Sequence, residues 1–293
     1  MMNGARKRIC ATKGTVMRWL LIAVGLIASM SDALAGGFET PILRGSDAYV
    51  PAAPAPQLLK WSGFYAGGQV GYGFASMDFS RATREPIAHM LRELLLENEQ
   101  HPSQWQVLGK TDTGGASAGF FFGYNNRWED VILGFELNYS RVSHRADAPV
   151  SPIARVTATS NGLVYLVNLI GGASMHITDL ATIRARAGVQ VENFLPYAMI
   201  GVAAGRANIS RSATVIGTET VTSDPPIVTP FFFTEGETKN GAFLFGWSLG
   251  GGLDMMIMPN VFLRAEAEYV AFSPVWEIKA NITTVRLGAG IKF

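Results

Sequence analysis

Residues 283–293 read Thr-Thr-Val-Arg-Leu-Gly-Ala-Gly-Ile-Lys-Phe and alternate with a period of two. Val285, Leu287, Ala289, Ile291 and Phe293 fall on one face of an extended strand, and Arg286, Gly288, Gly290 and Lys292 fall on the other. The pattern also opens the folded part of the chain, where Phe64, Ala66, Gly68, Val70, Tyr72 and Phe74 oppose Tyr65, Gly67, Gln69, Gly71 and Gly73. It recurs over 116–124, 131–140, 181–191, 246–255 and 261–269. Residues 195–207 predict one more strand, although Pro196-Tyr197-Ala198-Met199-Ile200 is apolar on both faces and leaves its faces unassigned. The tally is about eight strands, an even number.

In each segment the larger apolar side chains share one face, while the other is small, polar or charged. A soluble eight-stranded barrel wants the reverse, with large residues inside and charges outside. An apolar face turned to lipid and a polar face turned to a narrow lumen resolves the pattern, and the last strand then pairs with the first so that no edge stays open. The links alternate in length: 125–130, 192–194 and 258–260 are short, and those after the first, third, fifth and seventh strands are longer. The predicted fold is therefore all-β: an eight-stranded antiparallel transmembrane up-and-down β-barrel with long outer loops and one short amphipathic helix in the first loop.

That helix is read from Pro86 in a first turn and the stripe Ile87, Met90, Leu91, Leu94 and Leu95. It packs over the barrel mouth, rests on lipid or meets a partner. Between 143 and 178, Pro149 and Pro152 predict a loop. The apolar run Leu163 to Ile170 predicts either an extension of the third and fourth strands above the membrane or an extra hairpin, and the hairpin would make ten strands. Ser210 to Asn240 predicts a mobile surface loop exposing Phe231-Phe232-Phe233.

Composition agrees with a membrane setting: 48% of residues are hydrophobic and 16% charged. The N-terminus adds an address. Arg6, Lys7, Arg8, Lys13 and Arg18 precede an apolar run to Met30, and Ala33-Leu34-Ala35 is the small-x-small pattern of a signal-peptidase site. Cleavage after Ala35 is expected, with Met1 or Met17 as start. It leaves 19 basic against 22 acidic residues and removes Cys10, the only cysteine. Thiolate chemistry and disulfides are thereby excluded from the mature chain, and its charge argues against nucleic-acid binding. Residues 36–60, with Pro51-Ala52-Ala53-Pro54-Ala55-Pro56, predict an extended periplasmic tail. The organisation is a signal peptide at 1–35, this tail, and a barrel at 61–293.

Trp61-Ser62-Gly63-Phe64-Tyr65-Ala66-Gly67-Gly68, Gly134-Phe135-Glu136-Leu137-Asn138-Tyr139, Ile183-Arg184-Ala185-Arg186-Ala187-Gly188, Leu195-Pro196-Tyr197, Gly246-Trp247-Ser248-Leu249-Gly250, Arg264-Ala265-Glu266-Ala267-Glu268-Tyr269 and Val285-Arg286-Leu287-Gly288 occur in this order. Together they resemble the outer-membrane beta-barrel domain family, small porin-like surface proteins of alphaproteobacteria related in architecture to the OmpA transmembrane domain. The resemblance implies an outer-membrane barrel inserted by an assembly machinery that reads a terminal aromatic such as Phe293. Its outer links after the first and third strands are longer than the family usually carries.

The charged lumen positions are Glu136, Asp254, Glu266 and Glu268 against Arg184, Arg186, Arg264, Arg286 and Lys292. Ions inside a narrow barrel must pair, so the expectation is a structural network that plugs the lumen. Glycosidase chemistry needs a cleft between its carboxylates, which the pattern does not offer. His89, His101, His144 and His176 lie in or beside loops, at no triad spacing from a strand serine and with no metal-ligand spacing. Gly288-x-Gly290 lacks the rest of a dinucleotide fingerprint. The expected function is non-enzymatic and cofactor-free: envelope integrity and surface presentation, with outer-membrane lipid, the assembly machinery and host or surface ligands of the loops as partners. A narrow porin-like pore is the alternative, and an outer-leaflet lipid-modifying enzyme the third reading.

Overall fold

The computed structural model describes residues 60–293. The signal peptide with Ala33 and Ala35, and nearly all of the proline-rich tail, lie outside the described residues. In chain order the elements are β1 Gly63–Asp78, α1 Arg84–Met90, α2 Leu95–Gln100, a 3-10 turn Pro102–Gln104, β2 Lys110–Trp128, β3 Val131–Asp147, β4 Ile153–Ala158, β5 Leu163–Val189, β6 Phe194–Val221, β7 Ile227–Met258, β8 Val261–Phe272 and β9 Lys279–Lys292.

This corrects the expected count: one sheet of nine strands replaces eight, and two short α-helices replace one. Neighbours follow the order β3-β2-β1-β9-β8-β7-β6-β5-β4, and β3 also pairs with β5. The ninth strand arises because Pro149 and Pro152 interrupt the segment after Asp147. β3 ends on β5 at Asp147 opposite Ser174, and β4 resumes the same pairing at Ile153 opposite Leu169. The apolar run Leu163 to Ile170 is the first part of β5, which continues unbroken to Val189. The terminal strand pairs along the first, with Val70 opposite Leu287.

The helix divides because Leu94 is extended, with φ −92° and ψ 136°. The break resets the apolar phase, so Ile87, Leu91 and Leu96 are buried rather than Leu95. The expected loop at Ser210 to Asn240 is also corrected. It is mostly strand, since β6 and β7 run on as a hairpin with Thr218 opposite Pro230 and only residues 222–226 between them. Alternation splits its phenylalanines: Phe232 is 63% exposed, whereas Phe231 and Phe233 pack against the core beneath.

One face of the sheet is buried and layered, as β8 displays in a single strand: Phe262, then Arg264, Glu266 and Glu268, then Val270 and Phe272 are all buried. The first layer, near the short turns, is Trp61, Tyr65, Phe121, Ile132, Leu195, Met256 and Phe262. Beyond the charges lies an apolar layer that includes Met77, Phe79, Leu108, Ile177, Leu244 and Ile282. A third cluster joins Ile87, Leu91 and Leu96 of the helical segment to Tyr165, Val167, Leu169 and Val215. Large side chains thus enter the interior above and below the ions, which small inward residues alone did not foretell. The opposite face exposes Phe74, Phe120, Phe135, Ile183, Val202, Phe243, Trp247 and Leu287 among many others. Removing such a side chain from water is worth roughly 1.5–3 kcal/mol, and soluble monomers rarely carry so extended an apolar surface.

Glycine lets the sheet close tightly at its charged level. A Cβ on inward Gly119 would stand 2.0 Å from the Tyr139 carbonyl oxygen, while one on outward Gly68 would meet only the Gly119 carbonyl oxygen at 3.9 Å. Gly119→Ala should therefore sharply reduce the yield of refolded chain whose gel mobility changes on heating, a loss in the overpacking range of about 1–3 kcal/mol. Gly68→Ala should refold as the parent does.

Candidate functional site

The buried charges sit where strand alternation turns them inward: Glu136 on β3, Arg184 and Arg186 on β5, Asp254 on β7, Arg264, Glu266 and Glu268 on β8, and Arg286 on β9. All eight are buried. Glu136 is the hub. Arg264 Nη1 reaches its Oε2 at 2.6 Å, Arg186 Nη1 lies 3.4 Å from the same oxygen, and Arg184 Nη2 contacts Oε1. Arg264 also clamps Asp254 with two N–H groups, Nε to Oδ1 at 2.8 Å and Nη2 to Oδ2 at 3.1 Å. Arg186 Nη2 donates to Asp254 Oδ2 at 2.7 Å. Arg184 Nη1 reaches Glu266 at 2.7 Å and Glu268 at 3.2 Å. Arg286 contacts Glu268 and lies 3.2 Å from Glu266.

Four guanidiniums therefore face four carboxylates, and the network is neutral. The fifth expected base does not join it: Lys292 is partly exposed and its Nζ donates to the Lys60 carbonyl. Phe293 lies past β9, 76% exposed, with its N–H donating to the Phe64 carbonyl at 2.8 Å.

Several partners escaped the sequence. Tyr65 donates its O–H to Glu136 at 2.8 Å, and Tyr197 donates to Glu266 at 2.9 Å. Arg186 lies 3.8 Å from the Tyr197 ring centroid and Arg264 4.1 Å from that of Phe121, so these aromatic faces help hold the cations. Gln69 donates to Asn138 and Ser140, and Arg286 donates to Asn138 at 3.3 Å. Tyr65 carried a usable signal, being the one large residue on an otherwise small inward face. Tyr197 did not, because its strand is apolar on both faces.

A second charged clamp lies in the upper sheet. Buried Arg211 of β6 pairs through Nη2 with Glu237 of β7 at 2.7 Å and Glu85 of α1 at 2.9 Å, tying the helical segment to the strands. Nearby, burial and the Glu219 carboxylate that accepts its O–H at 2.8 Å push the Tyr165 hydroxyl up to about 12.

The histidines are scattered. His89 pairs with Glu235 at 3.1 Å and His101 adopts a left-handed backbone between α2 and the 3-10 turn. His144 is buried, and neither ring nitrogen has a hydrogen-bond partner. His176 Nε2 stands 3.4 Å from Ser143 Oγ on neighbouring strands, a serine–histidine contact that the spacing had not revealed. It is longer than the roughly 2.6–3.2 Å of an activated nucleophile, and no carboxylate orients the imidazole among the described hydrogen bonds. Nor do the described residues contain a group of three or more His, Cys, Asp or Glu that could hold a metal ion.

A sheet that is apolar outward, ion-paired inward and sealed terminal strand to first strand defines an outer-membrane, β-barrel-type surface protein. The chain belongs to the family described as "Outer membrane protein beta-barrel domain", which matches residues 48–293. It is similar to the 25 kDa outer-membrane immunogenic protein of Brucella canis, with 22% identity over 251 residues covering 83% of this chain and 84% of the relative. The Brucella ovis protein of the same description is also 22% identical, over 83% of both chains. Among solved structures, Neisserial surface protein A is 14% identical across 79% of this chain and 98% of its own, with a TM-score of 0.33. Ail, the attachment invasion locus protein of Yersinia pestis, is 14% identical across 79% and 99%, with a TM-score of 0.31.

Removing one member of a buried ion network strands its partners in low dielectric. Glu136→Gln, which deprives three arginines of their shared carboxylate, should lower the unfolding free energy in lipid by about 3–5 kcal/mol. Urea titration followed by tryptophan fluorescence measures it, and Glu136→Gln combined with Arg264→Met should recover part of the loss.

Proposed function

We propose that this chain is a non-enzymatic outer-membrane protein that supports the envelope and presents surface to the exterior, with its interior closed to continuous flow by the ion network. The observation that carries this reading is the neutral set of four arginines and four carboxylates under the apolar layer of Met77, Phe79, Leu108 and Ile282. An interior filled successively by aromatics, ions and aliphatic side chains offers no continuous aqueous path. The outward apolar belt lies in lipid, and the short turns at 129–130 and 259–260 face the periplasm. The sheet beyond the belt, with α1 and α2 against its inner face, is the displayed part. The Brucella relatives are described as immunogenic, which accords with display. Phe293, exposed at the chain end of β9, is the residue offered to the assembly machinery, and residues 1–35 are the export signal removed on the way.

Two measurements test this. The refolded mature chain in a planar lipid bilayer should give no steady conductance, and a stable open level would replace this reading with a pore. The mature chain carries no cysteine, so single cysteines report topology. Asp224→Cys in the β6–β7 turn should react with an impermeant maleimide on intact cells, and Asn260→Cys only after the outer membrane is opened.

A further inference from the structure

Along β6 the outward positions pass from Val202 and Ala204 of the apolar belt through Arg206, Asn208, Ser210 and Ser212, and then turn apolar again at Ile216. The register carries that change across the whole upper sheet. Ala154, Asn168, Ile216 and Phe232 form one outward row over β4, β5, β6 and β7, and Val156, Leu166, Thr218 and Pro230 form the next. Val156 is 68% exposed, and Leu166, Ile170, Val228 and Phe232 are exposed with it. From Ala204 to Ile216 is about 40 Å along the strand, or roughly 28 Å of height at a tilt of about 45°, so this second apolar area stands clear of the lipid head groups.

Charge is sorted between the two faces of this sheet. Arg155 lies 4.5 Å from the Trp105 ring centroid, Glu219 accepts the Tyr165 O–H, Glu235 pairs with His89, and Arg211 holds Glu85 and Glu237. Each of these contacts is with the helical segment or with the face that it covers. Among the described residues, no acidic or basic side chain occupies an outward position of β4, of 163–172 on β5, of 212–221 on β6 or of 227–236 on β7. A solvated surface carries charge at about a quarter to a third of its positions. A sheet packed on helices by one face and uncharged on the other is suited to lie between two layers.

We propose that the second layer is another copy of this chain, and that the outward face of β4 to β7 is a two-fold contact between neighbouring copies in one membrane. The inference goes beyond the proposed function and rests on its reading that the apolar belt lies in lipid. Two chains anchored by the same belt hold this face at the same height, so a two-fold axis along the membrane normal sets one level of a copy against the same level of its neighbour. The contact brings no like charges together, and it offers nothing to select a charged or phosphorylated partner. Its size decides where it forms. Four strands about 4.8 Å apart, over rows that span about 20 Å along them, give roughly 400 Å² of flat face per copy. The total of about 800 Å² for a pair falls short of the roughly 1,200 Å² at which stable complexes in solution begin. Copies confined to one membrane already share a plane and an upright orientation, which removes part of the rotational cost of pairing. Pairing therefore belongs to the membrane-bound chain.

The mature chain has no cysteine, so single cysteines report the contact on whole cells treated with a short bismaleimide at native expression. Leu166→Cys, near the middle of the face, should give a band of twice the chain mass, and Arg92→Cys, exposed on the helical segment, should give none. Ile216→Lys added to Leu166→Cys should lower the cross-linked fraction about tenfold, because apposed like charges oppose association. Co-expressing Ile216→Lys chains with Ile216→Glu chains, each carrying Leu166→Cys, should restore it. Thr218→Lys repeats the test should Ile216→Lys lose the heat-dependent gel shift of a folded chain. Equal cross-linking of Leu166→Cys and Arg92→Cys would mark random collision and overturn the proposal. So would the absence of a double-mass band from Leu166→Cys, or a loss on Ile216→Lys that the Ile216→Glu chains do not restore. A band of another mass would assign the face to a different protein and overturn the pairing of copies. Failure of Asp224→Cys to label on intact cells would instead sink the display reading, and it is read without cross-linker on a separate variant, which keeps the two failures distinct.

Discussion

Everything in this structure turns on the cost of placing ions away from water. Glu136 would be untenable on its buried face without guanidiniums brought from β5 and β8, and those arginines would be untenable without Asp254 on β7 and Glu266 on β8. Apart from Asp254 and Arg264, which face each other across the short β7–β8 turn, these partners lie far apart in sequence and meet only when the sheet has brought their four strands to the same level. The network is weak evidence for stability relative to an all-apolar interior of the same volume. It is strong evidence for uniqueness of register, because a slip of one residue on any strand would turn its ion toward the apolar face.

That register is also what makes the two faces legible. The two-residue period identified β1, β2, β3, β8, β9 and the parts of β5 and β7 over 181–191 and 246–255, and assigned the eight ionic residues to one side, since outward-facing and inward-facing positions alternate along those stretches. It could not number the strands beyond the belt. There the outward face becomes Arg141, Ser143, Arg145 on β3 and Arg206, Asn208, Ser210 on β6, which is polar as loops are polar. The inward face stays apolar through Val142, Ala146, Ala207 and Ile209, but a polar and apolar alternation far from the ends of recognised strands reads equally as coil. The segment 210–240 shows why most clearly. Pro230 and Gly236 signal a loop, yet both sit on the edge of β7, whose second side pairs with β8 only from Gly246 onward. Proline costs no ladder bond on an unpaired edge.

Other misses have local causes. Tyr197 and Phe121 contribute ring faces to arginines, and nothing in strand periodicity distinguishes a ring packed on an ion from one packed on an aliphatic chain. The helix stripe was correct through Leu91 but wrong in phase past Leu94, because that single extended residue rotates everything that follows, so that Leu96 rather than Leu95 is buried. The contact between Ser143 and His176 depends on a bulge, which shifts register without any sequence mark.

The upper sheet presents a separate physical problem. Four strands, β4 to β7, continue past the belt, and their inner face carries Tyr165, Val167, Leu169, Ala213 and Val215 into water unless something covers it. The link between β1 and β2 provides the cover through Ile87, Leu91 and Leu96. Arg211 fixes that cover in place: it is buried, binds Glu85 of α1 and Glu237 of β7, and lies 4.7 Å from the Trp276 ring centroid. The length of the first link and the length of the β6–β7 hairpin are therefore one feature rather than two. Long strands expose an apolar inner face, and the long link buries it, so lengthening either one without the other would leave Tyr165, Val167, Leu169 and Val215 facing water.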